Sequence, residues 1–203
     1  MFGDETVKDF LEKVADSSPT PGGGTAAALV GSLASALSEM VCNLTIGKEK
    51  YKDVEDEIKK ERGKCMEYRK KLTALMDDDA RAFNKVMEAF RIPKEREGRK
   101  EVIQEAYKEA ASVPLATAEY CLKVMESARK IAEKGNKNSI TDAGSSVVLA
   151  NAAFRSAIFN VRINLSGIKD ENFVGQTEKK IAAMEEKVEE IMKEAMHIVE
   201  ECL

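Results

Sequence analysis

The chain of 203 residues has no tryptophan, one histidine and only four prolines. The lone histidine, His197, lies in Met196-His197-Ile198 near the C-terminus. That excludes a multi-histidine metal site, and it leaves a Ser-His-Asp triad possible only if His197 supplies it. Acid–base chemistry must otherwise rest on Asp, Glu, Lys or Tyr. The four cysteines, Cys42, Cys65, Cys121 and Cys202, form no CxxC or other metal-ligand spacing. No metal is therefore expected. They read as reduced, small apolar residues of a cytoplasmic protein, in keeping with an acidic N-terminus that lacks a signal-peptide pattern. The net charge of -4, from 32 Lys and Arg against 36 Asp and Glu, lacks the basic footprint of a nucleic-acid binder.

What is present is alanine, glutamate and lysine, a composition that favours an all-α protein. Strand-like alternation and low-complexity linkers are both missing, so residues 1–203 read as a single domain. The periodicity predicts a short amphipathic helix over 4–16 and a small-residue helix over 25–46, followed by a long helix over 52–91. Further helices are expected over 96–112, from Pro114 to about 133, over 143–165 and over 173–202. The 25–46 helix has one charge, Glu39, and could be mistaken for a membrane span. Its stripe of Gly24, Ala28, Gly31, Ser35 and Ser38 instead suits close packing against another helix. The fold expected is a helical bundle around two central small-residue helices, 25–46 and 143–165, with no membrane partner.

Each of those two helices follows a loop able to bind a ligand. Pro21-Gly22-Gly23-Gly24 precedes the first, and three consecutive glycines are costly enough in entropy to need a reason. They either expose backbone N–H groups at a helix start or form a tight turn. Asn136-Lys137-Asn138-Ser139-Ile140-Thr141-Asp142 precedes the second, and Asp142 reads as a functional carboxylate or as a helix N-cap. If the two helices pack together, both loops open on one cleft. Asn43, Asn160 and Asn164 are amides on apolar helices, suited to a heterocyclic ligand or to interhelical hydrogen bonds. Lys48 and Lys50, beside Tyr51, suit either an acidic substrate tail or the C-terminal dipole of the first helix. Asp79 closes the run Asp77-Asp78-Asp79 and borders an apolar stripe, where it is either functional or part of a solvated charge run. Glu39 and Arg155, lone charges in apolar stretches, are candidates to pair with each other or with a ligand.

Five ordered segments carry a resemblance that spans nearly the whole chain. They are Pro19-Thr20-Pro21-Gly22-Gly23-Gly24, the run Met40 to Tyr51, Asp79-Ala80-Arg81-Ala82-Phe83, Gly135 to Ser139 with Asp142, and Asn160-Val161-Arg162-Ile163-Asn164-Leu165. Together they resemble the cyclodeaminase/cyclohydrolase family, which includes the cyclodeaminase half of formiminotransferase-cyclodeaminase and stand-alone methenyltetrahydrofolate cyclohydrolases. Cys42 departs from the alanine often found there, a small-for-small exchange. The resemblance implies an all-helical homodimer acting on a folate substrate, possibly polyglutamylated, with no further cofactor. The first activity it implies is cyclodeamination of 5-formiminotetrahydrofolate, with the cyclohydrolase reaction as the alternative. A helical dimer that binds a ligand without catalysis is the rival of another class. The implied acid–base or cation-stabilising residues are Asp142 and Asp79, with Lys137 nearby. The implied substrate contacts come from Pro21 to Gly24, Asn43, Lys48, Lys50, Tyr51, Asn136, Asn138, Ser139, Asn160 and Asn164.

Overall fold

A computed structural model describes residues 1–203, and every regular element in it is helical. Six α-helices follow in order: α1 (Val7–Ala15), α2 (Gly23–Thr45), α3 (Glu55–Arg91), α4 (Arg99–Lys134), α5 (Ile140–Leu165) and α6 (Glu171–Glu200). Short 3-10 turns at Phe2–Asp4, Glu49–Val54 and Lys137–Ser139 link or precede them.

The expected small-residue packing is present. Gly24, Ala28, Gly31, Ser35 and Ser38 are all buried. With so little side chain on this face, α2 lies close enough to its neighbours for its hydroxyls to reach them. Ser35 Oγ donates to the Cys65 carbonyl at 2.7 Å, and Ser32 Oγ lies 2.9 Å from Thr73 Oγ1, both on α3. On the other side Ser38 and Ser146 pair at 2.8 Å, and Ser146 donates to the Ala34 carbonyl at 2.7 Å. The α3 contacts, and on the α5 side Ser38 against Ser146 with Gly23 against Asn160, make α2 antiparallel to both α3 and α5. At Gly31 a Cβ would stand 2.8 Å from Cys121 Sγ, so glycine is what admits α4 there.

The main core joins α2, α4, α5 and α6 around Phe154, Met125, Ile158 and Ile181, all nearly inaccessible. Cys42, Cys65 and Cys121 are buried within the bundle, and burial pushes the Cys42 and Cys121 thiols up to about 12. They are unreactive filling. Cys202 alone is exposed.

The long helix expected over 52–91 is present as α3, which starts at Glu55 after a 3-10 turn. Two sequence expectations are corrected. Pro114 starts no helix; it is buried inside the continuous α4. A proline there leaves the carbonyl of Ala110 without its usual N–H partner, and Asn164 Nδ2 donates to that carbonyl at 2.9 Å. Glu39 pairs with Arg69 at 2.9 Å, not with Arg155, which bonds to Asn151.

The central placement of α2 and α5 holds on their inner sides only. Leu29, Leu33, Met40 and Leu44 on α2 are exposed, as are Val148, Phe159 and Ile163 on α5. By length and composition α2 is long and apolar enough to cross a membrane, and 56% of its most apolar window is buried in the bundle.

Two glycine substitutions separate packing from backbone entropy. Gly31→Ala is expected to destabilise the fold by about 1–3 kcal/mol through overpacking. Gly63→Ala, in an open position of α3 where a Cβ meets nothing within 4 Å, is expected to stabilise it by about 0.5–1 kcal/mol. Urea denaturation of the two variants measures both.

Candidate functional site

The three aspartates of α3 project about 100° apart around the helix and do three different things. Asp77 Oδ1 accepts from the Phe2 N–H at 2.8 Å, and Asp78 pairs with Arg81. Asp79 faces α2. The N-cap of α2 is Gly22, which has no side chain to meet the first free N–H groups of that helix. Asp79 supplies the carboxylate from outside. Its Oδ2 accepts from Thr25 Oγ1 at 2.8 Å, and it also takes a hydrogen bond from the Thr25 backbone N–H. A Cβ at Gly24 would collide with this carboxylate, and one at Gly23 would lie 3.3 Å from Asn160 Nδ2. The triple glycine is therefore a cradle for side chains of α3 and α5.

A cleft of about 350 Å³ opens beside it, lined by Pro19, Thr20, Gly22 to Gly24, Asp79, Phe83, Val86, Met87, Phe90, Tyr107, Ala110, Asn160, Ile163 and Asn164. Asp79 is its one carboxylate, and no lysine or arginine lines it. Burial lifts the Asp79 carboxyl above its ordinary value of 3.8, and the two Thr25 hydrogen bonds pull against that rise. Phe90 and Tyr107 meet edge to face at 5.9 Å and form an aromatic wall. Gly167 makes room for the Tyr107 ring, where a Cβ would sit 2.6 Å from Cζ.

Asn160 and Asn164 share the α5 face turned to the cleft. Asn160 Nδ2 donates to the Ser156 carbonyl at 2.8 Å, and Asn164 Nδ2 donates to the Ala110 and Asn160 carbonyls, each at 2.9 Å. Their structural roles use the amide nitrogens, and the Oδ1 atoms remain as acceptors beside the cleft.

The remaining sequence candidates, Pro21 apart, form a second group at the other end of α2, about 30 Å away. Within one chain the two loops do not open on a common cleft. The antiparallel packing of α2 and α5 puts the start of each helix beside the end of the other. Asn136 ties the ends together: its N–H donates to Thr45 Oγ1 at 2.9 Å and its Nδ2 to the Leu44 carbonyl at 3.0 Å. Tyr51 Oη donates to Asn136 Oδ1 at 3.4 Å and accepts from the Lys137 N–H at 3.0 Å. Lys137 Nζ donates to the carbonyls of Ala132 and Glu133 at 2.8 Å, closing the C-terminus of α4. Asn138 is exposed and Ser139 buried. Asp142 is not the N-cap of α5. Ser139 occupies that position, and Asp142 lies in the first turn, half-buried. Asn43 is exposed and accepts from Arg62 at 3.3 Å. Lys48 and Lys50 are exposed, with Lys50 Nζ 5.5 Å from the centre of the Tyr51 ring. Pro21 is buried behind the glycine loop.

Sequence reasoning missed the aromatic wall. The 52–91 periodicity puts Phe83, Val86 and Phe90 on one inner face with Ile58, Cys65 and Leu72, where they read as core, and Tyr107 carries no signal of its own. The available clue was spacing, since Phe83, Val86 and Phe90 continue the helical face on which Asp79 lies.

A family model described as formiminotransferase-cyclodeaminase matches residues 6–183. The chain belongs to that family. It is 45% identical over 188 residues to a methenyltetrahydrofolate cyclohydrolase of Methylorubrum extorquens, covering 91% of this chain and 90% of that protein. It is 31% identical to the formimidoyltransferase-cyclodeaminase of Mus musculus, over 89% of this chain but only 34% of the longer mouse protein. The fold matches the crystal structure of a formiminotetrahydrofolate cyclodeaminase from Thermotoga maritima with a TM-score of 0.92, at 36% identity and 98% coverage of both chains.

The Asn164 contact gives a site-specific expectation for this family member. Asn164→Leu orphans the Ala110 carbonyl and should cost about 1–3 kcal/mol. In a Pro114→Ala background residue 114 regains its N–H and can serve that carbonyl, so the same substitution should cost measurably less. A double-mutant cycle by chemical denaturation reads the difference.

Proposed function

We propose that the protein is a tetrahydrofolate one-carbon enzyme that hydrolyses 5,10-methenyltetrahydrofolate to 10-formyltetrahydrofolate. The acid–base assignment is carried by Asp79, the single carboxylate of an aromatic-walled cleft, lifted by burial and held by Thr25. The 45% identity to the Methylorubrum cyclohydrolase, over nine-tenths of both chains, favours hydrolysis.

The chemistry asks for one group that first takes a proton and then returns it. Water adds to the methenyl carbon, and Asp79 accepts one of its protons as the C–O bond forms. The resulting tetrahedral carbon collapses to a formyl group on N10. Its hydroxyl proton leaves to solvent, the C–N5 bond breaks, and Asp79 returns its proton to N5. A carboxyl whose affinity for protons is raised by burial suits both halves of this exchange. The substrate is a cation, so the ionised carboxylate also stabilises the bound ground state, and the aromatic wall excludes competing water. The Oδ1 atoms of Asn160 and Asn164 offer acceptors to the N–H groups of the pterin. The reaction consumes water alone and calls for no further cofactor.

A second reading rests on the likeness to the Thermotoga cyclodeaminase. There N10 attacks the amidine carbon of 5-formiminotetrahydrofolate, Asp79 accepts the N10 proton, and the proton goes to the departing ammonia. Both reactions pass through a tetrahedral carbon between N5 and N10. One assay separates them: loss of methenyl absorbance when methenyltetrahydrofolate is supplied, or its appearance when 5-formiminotetrahydrofolate is supplied. Loss is expected to be the faster. Asp79→Asn should stay folded and lower turnover by about 100-fold or more. Turnover at the wild-type level in that variant would remove Asp79 from the chemistry.

A further inference from the structure

Three residues on one face of α4, Gln104, Tyr107 and Lys108, reach the turn of residues 166–170 that joins α5 to α6. Gln104 makes two hydrogen bonds there. Its Nε2 donates to the Gly167 carbonyl at 2.9 Å, and its Oε1 accepts from the Lys169 N–H at 2.7 Å. A main-chain carbonyl only accepts and a main-chain N–H only donates, so the pair needs a side chain that does both at once. An amide meets that need; a carboxylate lacks the donor, and an aliphatic chain lacks both. Lys108 fastens the same turn farther along, with Nζ 3.1 Å from Asp170, the residue that caps α6.

Tyr107 stands between these two fasteners in the sequence, and its ring lines the cleft. The ring is held on two sides. Phe90 meets it edge to face at 5.9 Å. On the other side a Cβ at residue 167 would lie 2.6 Å from Cζ and 2.8 and 2.9 Å from Cε1 and Cε2, so the bare main chain of Gly167 covers the hydroxyl-bearing end of the ring. Where that main chain sits decides where the end of the ring can lie. Gln104 is the side chain that fixes it, yet Gln104 is not among the residues that line the cleft. We infer that Gln104 is a positioning residue for substrate binding: its amide pins Gly167 against Tyr107 and so sets the position of the aromatic wall. The inference deepens the folate reading, on which that wall packs against the substrate. The wall presents the same surface to substrate and transition state, so its displacement weakens binding and leaves the chemical step alone.

Two measurements test it, and the first does not depend on the reaction. In ligand-free protein carrying isotope-labelled tyrosine, the Tyr107 ring signal is assigned by NMR from its loss in Tyr107→Phe. Gln104→Leu should shift or broaden that signal. Lys108→Ala, which loosens the turn at Asp170 and leaves Gly167 clamped, should not. An unmoved Tyr107 signal in Gln104→Leu, or an equal change in Lys108→Ala, overturns the inference whatever the protein turns over. The second measurement follows methenyltetrahydrofolate by absorbance. Gln104→Leu should raise KM about 10-fold with kcat within about 2-fold of wild type, and Lys108→Ala should change neither. Gln104→Glu keeps the side-chain length and the acceptor for Lys169 but loses the donor to Gly167, and it should raise KM in the same direction. In a Tyr107→Ala background the effect of Gln104→Leu on KM should vanish, because the ring it positions is gone. A fall in kcat at unchanged KM in either Gln104 variant, or a KM effect that persists undiminished without the Tyr107 ring, overturns the inference. Wild-type protein inactive on both folates would instead remove the folate reading and leave the tyrosine signal to decide.

Discussion

The close approach of α2 to its neighbours is the constraint on which the rest of this structure depends. It requires residues with almost no side chain on the inner face, and Gly24, Gly31, Ser35 and Ser38 meet that requirement in turn. The polar cost of burying serines is met locally, since Ser35 and Ser146 donate to main-chain carbonyls of adjacent helices. At the N-terminal end of the same contact the approach is close enough for a carboxylate of α3 to take the place of a capping side chain. A site for acid–base chemistry thus arises from the packing of three helices. Gly24 makes the space, Asp79 fills it, and Thr25 holds it there.

Buried polar groups around the cleft are used economically. Pro114 removes one main-chain donor from α4, and Asn164 supplies the missing hydrogen bond from α5. That fixes the amide beside the cleft with its carbonyl oxygen turned free. Asn160 is fixed in the same way by the Ser156 carbonyl. Side chains whose first role is structural are therefore also held in place as potential ligand contacts, at the low entropy cost expected of groups already ordered. Lys137 shows the opposite outcome, with its ammonium committed to the end of α4.

Much of this was legible in the sequence. The all-helical fold followed from composition and periodicity, and the small-residue stripe on α2 correctly marked its buried face. Asp79 reads in the sequence either as functional or as the end of a solvated charge run, and the sequence puts Asp142 ahead of it. What stayed hidden was tertiary. Pro114 looked like a helix start because local rules do not see a partner amide arriving from fifty residues away. The two loops looked like neighbours because periodicity gives no helix direction, and antiparallel packing set them at opposite ends. The aromatic wall reads as core because an inward-facing position and a cleft-facing one have the same spacing. The exposed apolar face of α2 was hidden for the converse reason: a helix apolar all round reads as fully buried.

The proposed chemistry starts from Asp79 held against α2 as a carboxyl of raised proton affinity. Its titration in the folded, ligand-free protein, followed by carboxyl-carbon NMR and assigned by comparison with Asp79→Asn, tests that most directly. The midpoint is expected above the ordinary 3.8, and higher still in Thr25→Val, because the Thr25 hydrogen bond favours the ionised form. By linkage the folded state then holds this proton more tightly than the unfolded chain, so wild-type stability should fall relative to Asp79→Asn as pH rises through the raised midpoint. A midpoint at or below 3.8, unmoved by the loss of Thr25, would contradict the account.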